Sequence, residues 1–392
     1  MENLQNNFSP LGTLSPSVTL SLAARAKELK KQGLDVYSMS VGEPDFDTPQ
    51  AIKNAAIKAL NEGKVRYIAS SGLPELKDEI VKKMAENGVK TTANNVIVTT
   101  GAKLALFETI TALCGAGDEV IVLAPYWLSY PEMIKASGAK TVVVNTKAEN
   151  NFAPTKEDLE KAITPNTKLI IVNSPSNPTG AVYSKETLQM IADLAVKHNI
   201  MVLSDEIYEK LIYDENIKHI SIASLNDKIA DLTITINGFS KAYAMTGWRL
   251  GYLVAPLWLA KRISALQSHA TSNATTFVQY AAVDALQGKA DAEVENMVKT
   301  FARRRELLCK LLKDIPQIDF IEPQGAFYVM CNIAKTGKTA KDFAQELLEQ
   351  KLLTVIPCES FGAPEYVRLS YACSEEQIIE AIKRLKEFCQ DL

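Results

Sequence analysis

KLIIVNSPSNPTGAVYSKETLQMIADLAVKHNIMVLSDEIY, residues 168–208, carries the pattern that decides the fold. Its two apolar runs, KLIIVNSP (168–175) and IMVLSDE (200–206), read as buried strands, and residues 185–198 between them have helical periodicity. A strand, a helix and a second strand in that order predict a parallel pair with a crossover helix. The same alternation extends outward. Further strand candidates are NVIVTT (95–100), EVIVLAP (119–125), KTVVVN (140–145), DLTITIN (231–237) and GYLVAP (251–256). Helical segments at 102–114, 126–137 and 156–163 separate many of them. The expected fold class is α/β, with a large domain built on a mostly parallel, doubly wound sheet of seven strands.

Beyond residue 290 the order changes. A long charged helical pattern at 291–314 leads into short strands and two more helices, which predicts a smaller α+β domain. At the other end, the helical segment 18–32 precedes the Gly/Pro-rich VGEPDFDTP (41–49) and is expected to pack on that smaller domain. The division read from the sequence is therefore 1–45 as an N-terminal segment, 46–290 as the large domain and 291–392 as the small one.

Bulk properties exclude several classes. The 392 residues are 47% hydrophobic and 23% charged, ordinary for a globular protein with a sizeable core. With 43 Lys+Arg against 46 Asp+Glu the formal net charge is -3, which gives no footprint for nucleic acid or an acidic membrane. The start, MENLQNNFSP, is polar and lacks a signal pattern, and no apolar run approaches a membrane span. The six cysteines are scattered with no CxxC pair, and the three histidines stand far apart, so no metal site is expected. Unpaired thiols fit a reducing cytoplasm.

In an open α/β sheet, ligands sit beyond the carboxyl ends of the strands. The residues just past each strand are therefore the candidates for a site. TTGAKLALFE (99–108) puts Gly101 at a strand-to-helix turn, where bare N–H groups and the helix dipole attract an anion. Asp205 ends a very apolar strand; it is either a helix N-cap or a buried carboxylate facing a cationic ring. Tyr208, three residues on, shares its face if a helix comes next. Asn177, before a proline in SPSNPTG (174–180), sits in a turn that aims an amide into the cleft. In NGFSKAYAMTGWRLGYL (237–253), Lys241 stands at the mouth of an apolar strand with Arg249 eight residues later. A charged amine there is costly unless it is paired or used chemically, for instance to form an imine with a carbonyl compound.

NPTG, SDEIY and SKAYAMTGWRLGYL, in that order and at these separations, resemble the class I aminotransferases, pyridoxal phosphate (PLP) enzymes of fold type I. The likeness runs from PSVTLSLAARA (16–26) through VGEPDFDTP to EYVRLSYA (365–372). VGEPDFDTP, GAK and PYWLSYPEM (125–133) are similar to the bacterial branch of aspartate aminotransferases. The resemblance implies a role for each residue singled out. Lys241 would be the Schiff-base lysine and the proton shuttle. Asp205 would pair with the pyridinium nitrogen, Tyr208 and Asn177 with the phenolic oxygen, and Trp127 would stack on the ring. Gly101, Ala102 and Arg249 would hold the phosphate. A serine that binds phosphate in many relatives is replaced here by Gly238, and Ser240 would be a weak stand-in. Arg368 would clamp the substrate α-carboxylate, with Gly42 lending backbone contact. Lys103, assisted by Thr19, would bind the distal carboxylate. Tyr67 would reach the phosphate of the neighbouring subunit, implying a homodimer with shared sites.

The activity implied is transfer of an amino group from L-aspartate to 2-oxoglutarate. Alternatives on the same fold are an aspartate- or glutamate-prephenate or aromatic aminotransferase, a carbon–sulfur lyase, and a PLP-binding regulator without turnover. Lys103 speaks against the lyase. The match begins near the start of the chain, which leaves no room for the DNA-binding domain a regulator needs. There is no GxGxxG after a strand to suggest a nicotinamide protein.

Overall fold

The computed structural model describes Leu14 and residues 18–392, with side chains from residue 24 onward. Its centre is a seven-stranded sheet, assembled from strands that the apolar runs forecast to within two residues at most ends. In chain order, after the two-residue β1 (Tyr37–Ser38), these are β2 (Val96–Thr99), β3 (Glu119–Ala124), β4 (Lys140–Asn145), β5 (Thr167–Asn173), β6 (Met201–Asp205), β7 (Thr233–Gly238) and β8 (Gly251–Val254). The sheet order is β2-β8-β7-β6-β5-β3-β4. Pairs among β3 to β7 are parallel, and β8 runs antiparallel to both β2 and β7. β2, β3, β7 and β8 are buried along their whole length, which is why they read as continuous apolar runs instead of alternating ones.

Helices cover both faces. Ala102–Leu113, Ser129–Ser137 and Leu257–Ala270 close one side over Ile97, Val122, Leu203 and Ile234. Lys185–His198 closes the other over Ile121, Ile170 and Val202. The parallel strands all present their carboxyl ends to one edge, so Asn173, Asp205 and the turn after Gly238 meet there.

The chain after residue 290 forms a second layer. Helix Asp291–Leu312 leads to β9 (Asp319–Phe320) and β10 (Tyr328–Asn332); helix Ala340–Lys351, β11 (Leu353–Thr354), β12 (Ile356–Pro357), β13 (Tyr366–Ser370) and helix Glu375–Gln390 come after them. Four of these strands make an antiparallel sheet in the order β12-β13-β10-β9. Its core is aromatic: Phe301 stacks on Phe327 at 5.4 Å, and Phe343 meets Phe388 edge-on at 5.1 Å. β1 pairs in parallel with β11, and Ala26 and Leu29 of the first helix pack with Leu348. The N-terminal segment is thereby tied to this layer. Arg304 fastens it further with two bonds to Asp45, 2.7 and 2.8 Å, and so fixes the VGEPDF stretch over the edge of the large sheet.

Candidate active site

A cavity of about 550 Å³ lies where the two layers meet at the carboxyl edge. Lys241, Asp205, Tyr208 and Asn177 line it, as do Ala102, Lys103, Trp127, Ser240 and Arg249; the N-terminal segment and small layer contribute Gly42 and Arg368. Candidates scattered along the sequence are thus brought to one place.

Lys241 sits in the turn after β7. Its Nζ donates to the Gly42 carbonyl at 2.6 Å. Burial pushes its pKa down to about 8; Glu43 opposes this, while Arg368, Arg249 and Lys103 add to it. A lysine with an ordinary pKa near 10.5 keeps its proton well above neutrality; this one loses it at a markedly lower pH.

Asp205 ends β6 at 4% exposure. Its Oδ2 accepts from the Tyr130 hydroxyl at 2.7 Å and its Oδ1 from the Ile207 N–H at 3.3 Å. Burial raises its pKa to about 6, against the pull of those two bonds and of Lys241. No helix succeeds it. Residues 207–210 form a turn, so Asp205 is not an N-cap, and Tyr208 reaches the cavity from a turn and not from a helical face. The neighbouring strand locks this region: Asn173 Nδ2 donates to the Asp205 carbonyl at 2.9 Å, and Asn173 Oδ1 accepts from the Asn177 N–H at 2.8 Å. The NPTG turn is held in place by Gly180, at φ +69°, where a Cβ would lie 2.3 Å from Pro323.

Arg368 on β13 is 4% exposed. Nη1 donates to Asn177 Oδ1 at 2.9 Å and Nη2 to the Ser40 carbonyl at 3.0 Å. Its guanidinium lies over the Tyr328 ring at 4.3 Å, and its buried Nε has no partner among the described residues. An orphaned donor on a buried guanidinium is costly unless a ligand meets it.

Elsewhere in the cavity a helix N-terminus and an arginine come together, an arrangement that suits an anion. Gly101, at φ +79°, precedes helix Ala102–Leu113 without any side-chain cap, leaving the first N–H groups free for a ligand. A Cβ at Gly101 would lie 2.6 Å from Arg249 Nη2, so only glycine lets the guanidinium lie against this turn. Arg249 is further oriented by Nη1 donating to the Thr246 carbonyl at 2.8 Å. Lys103 keeps solvent contact, with its Nζ 4.8 Å from the Trp127 ring centroid; partial burial and then Arg249 hold its pKa below the ordinary lysine value. Gly238 backs directly onto β8, where a Cβ would come within 3.0 Å of the Gly251 Cα. Nearby Ser240 lines the cavity.

Two sequence candidates stand apart. Tyr67 does not line the cavity and is 87% exposed. Thr19 lies on helix Val18–Lys31, and its side chain falls outside the described residues. Sequence reasoning also missed residues that the cavity contains: Ser40, Glu43, Tyr130, Asn173 and Tyr328. Tyr130 and Glu43 lie inside motifs already singled out, PYWLSYPEM and VGEPDFDTP, and could have been found there. Tyr328 comes after a run with no local signal.

The fold is α/β, and its cavity sets a buried lysine beside a buried aspartate. The chain belongs to the family of class I and II aminotransferases, whose family model matches residues 35–385. It is 43% identical over 390 residues to a probable aspartate/prephenate aminotransferase of Aquifex aeolicus, covering 98% of each chain. To an aspartate aminotransferase of Geobacillus stearothermophilus it is 44% identical over 386 residues, covering 97% of this chain and 98% of the relative. Among solved structures it is similar to the aspartate aminotransferase of Thermus thermophilus with maleate, with a TM-score of 0.93 and 42% identity over 96% of this chain and 98% of that one. Membership of this family implies pyridoxal phosphate as cofactor. No described helix is long and apolar enough to cross a membrane.

Proposed function

We propose that the chain is an aspartate aminotransferase, exchanging an amino group between L-aspartate and 2-oxoglutarate to give oxaloacetate and L-glutamate. One observation carries the proposal. Besides Arg249, the cavity that holds Lys241 and Asp205 is lined by two more cations from separate elements, Arg368 of β13 and Lys103 of helix Ala102–Leu113, a match for the two carboxylates of a four- or five-carbon dicarboxylic acid.

The residues fit pyridoxal phosphate. The uncapped turn at Gly101 and Ala102, with Arg249 and Ser240, suits a phosphate. Asp205, raised to about 6 by burial, calls for a cationic partner such as a protonated ring nitrogen. Tyr208 and Asn177 would meet the phenolic oxygen, Trp127 the ring face, and Lys241 the carbonyl carbon. When bound, the coenzyme supplies a carbonyl for imine exchange and a ring that draws electrons from the carbon losing its proton. The chain does the rest. Lys241 Nζ, neutral above about pH 8, would take the α-proton and give it back on the coenzyme side of the substrate nitrogen. Arg368 grips the α-carboxylate by its fork and so sets the direction of the Cα–H bond. Asp205 keeps the ring proton in place, with Tyr130 holding its Oδ2.

Lys103 decides between dicarboxylic and other substrates. Lys103→Leu is expected to raise the KM for aspartate about ten-fold, the worth of one partly solvated charge pair, and to leave that for phenylalanine unchanged. Equal losses for both acids would contradict the assignment. The relative named for prephenate as well as aspartate keeps a second reading open to the same assay, since prephenate is also a dicarboxylic acid. The proposed state is a cytoplasmic homodimer. Six free, buried cysteines fit a reducing compartment, and exposed Val65, Tyr67 and Trp258 offer apolar surface to a second copy, in which Tyr67 would serve the neighbouring site.

A further inference from the structure

Tyr328 connects the two halves of the cavity. It opens β10 at 1% exposure, and its ring lies beneath the Arg368 guanidinium at 4.3 Å. Its hydroxyl stands 3.0 Å from that of Tyr208, with the two rings edge-to-face at 5.9 Å and 82°. On the other side it is boxed in by Gly42, where a Cβ would come within 3.0 Å of the Tyr328 oxygen. Tyr208 is confined as well, packed edge-to-face on Phe327 at 5.6 Å.

Either hydroxyl can be the donor in this bond, and counting hydrogens shows what each choice leaves for a ligand. Each tyrosine hydroxyl has one hydrogen to give and lone pairs to accept with. Two facing hydroxyls share one bond, so one of them spends its only hydrogen on the other. If Tyr208 gave its hydrogen to Tyr328, none would remain for a ligand. Arg368 opposes the burial-driven rise in pKa at both hydroxyls, but its guanidinium lies 4.3 Å over the Tyr328 ring and the Tyr208 hydroxyl is pushed up further, so Tyr328 is the stronger donor of the two.

We infer that Tyr328 is a positioning residue whose hydroxyl donates to Tyr208 and thereby commits the single Tyr208 hydrogen to the phenolic oxygen of the bound coenzyme. The inference rests on the proposed placement of Tyr208 against that oxygen. It adds a link from the substrate clamp to the coenzyme: Arg368 polarises Tyr328, Tyr328 sharpens Tyr208, and Tyr208 stabilises negative charge on the coenzyme. Chained hydrogen bonds strengthen one another in this way when buried.

The test is a pH titration of the visible band of the pyridoxal phosphate-loaded protein, which reports the coenzyme's own protonation and not turnover. A hydrogen bond to the phenolic oxygen lowers the midpoint, so losing it raises the midpoint. Tyr208→Phe is expected to raise it by about one pH unit. Tyr328→Phe, which keeps the ring under Arg368, is expected to raise it by about 0.3 units, a two-fold change in proton affinity. The double variant should match Tyr208→Phe alone, because Tyr328 acts only through Tyr208. An unmoved or lowered midpoint in Tyr328→Phe overturns the inference, as does additivity in the double variant. An unmoved midpoint in Tyr208→Phe instead removes the coenzyme contact of Tyr208 itself, a separate failure.

Discussion

The floor and the far wall of the cavity are made differently. The floor comes from the ends of β5, β6 and β7, adjacent parallel strands of one sheet, and it carries Asn173, Asp205 and Lys241. Its titratable groups are displaced by burial, Asp205 up to about 6 and Lys241 down to about 8. The wall comes from Ser40, Gly42, Tyr328 and Arg368, brought from both ends of the chain. It is held by bonds between distant elements: Lys241 to Gly42, Arg368 to Ser40 and Asn177, Arg304 to Asp45. A rigid sheet edge can hold groups with perturbed proton affinities because its backbone is already satisfied. A wall built from separate elements can grip a ligand and adjust to it. In the proposed function, proton chemistry belongs to the floor and recognition to the wall.

That division can be broken by experiment. The largest effect should come from the floor: Asp205→Ala is expected to lower kcat about a thousand-fold with the KM for aspartate nearly unchanged. A loss confined to KM would place Asp205 in recognition. On the wall, Arg368→Leu is expected to lower kcat/KM for aspartate about a hundred-fold, equivalent to about 3 kcal/mol for a buried charge pair, with most of the loss in KM. A pure kcat loss would erase the distinction. The smallest effect concerns pH. In the proposed function the neutral amine of Lys241 is the nucleophile, and its pKa lies below the ordinary lysine value, so it is fully available above about pH 8 and is lost by protonation below it. Coenzyme uptake by coenzyme-free protein should therefore slow about ten-fold for each pH unit below that point and level off above it. A midpoint near 10.5, the unperturbed value, would show that the floor does not perturb Lys241.

The same contrast explains what can be read from the sequence. Although Asn173, which closes β5, does not stand out, most of the floor is legible because its residues sit at the end of an apolar run or in the turn beyond it: Asp205 closes β6, Lys241 comes after β7 and the neighbouring Asn177 lies in the turn after β5. Local pattern and chemical oddity coincide there. The wall is less so. Arg368 stands out only through the resemblance carried by EYVRLSYA, and Tyr328 does not stand out at all, since its meaning comes from a guanidinium 40 positions away. Tyr130 likewise matters through Asp205, 75 residues on. β9, β11 and β12 are two residues each, too short to show alternation. Tyr208 reads as helical in the sequence because spacing alone cannot tell a helix from the turn that the structure shows.

The proposed chemistry depends on the Lys241 amine as the point of covalent attachment for pyridoxal phosphate. Borohydride reduction of the coenzyme-saturated protein, followed by peptide mapping, measures this directly. The expected result is a stable adduct on Lys241, lost in Lys241→Ala together with turnover. A saturated wild-type sample with no adduct on that peptide, or a Lys241→Ala variant that still transaminates at the wild-type rate, would contradict it.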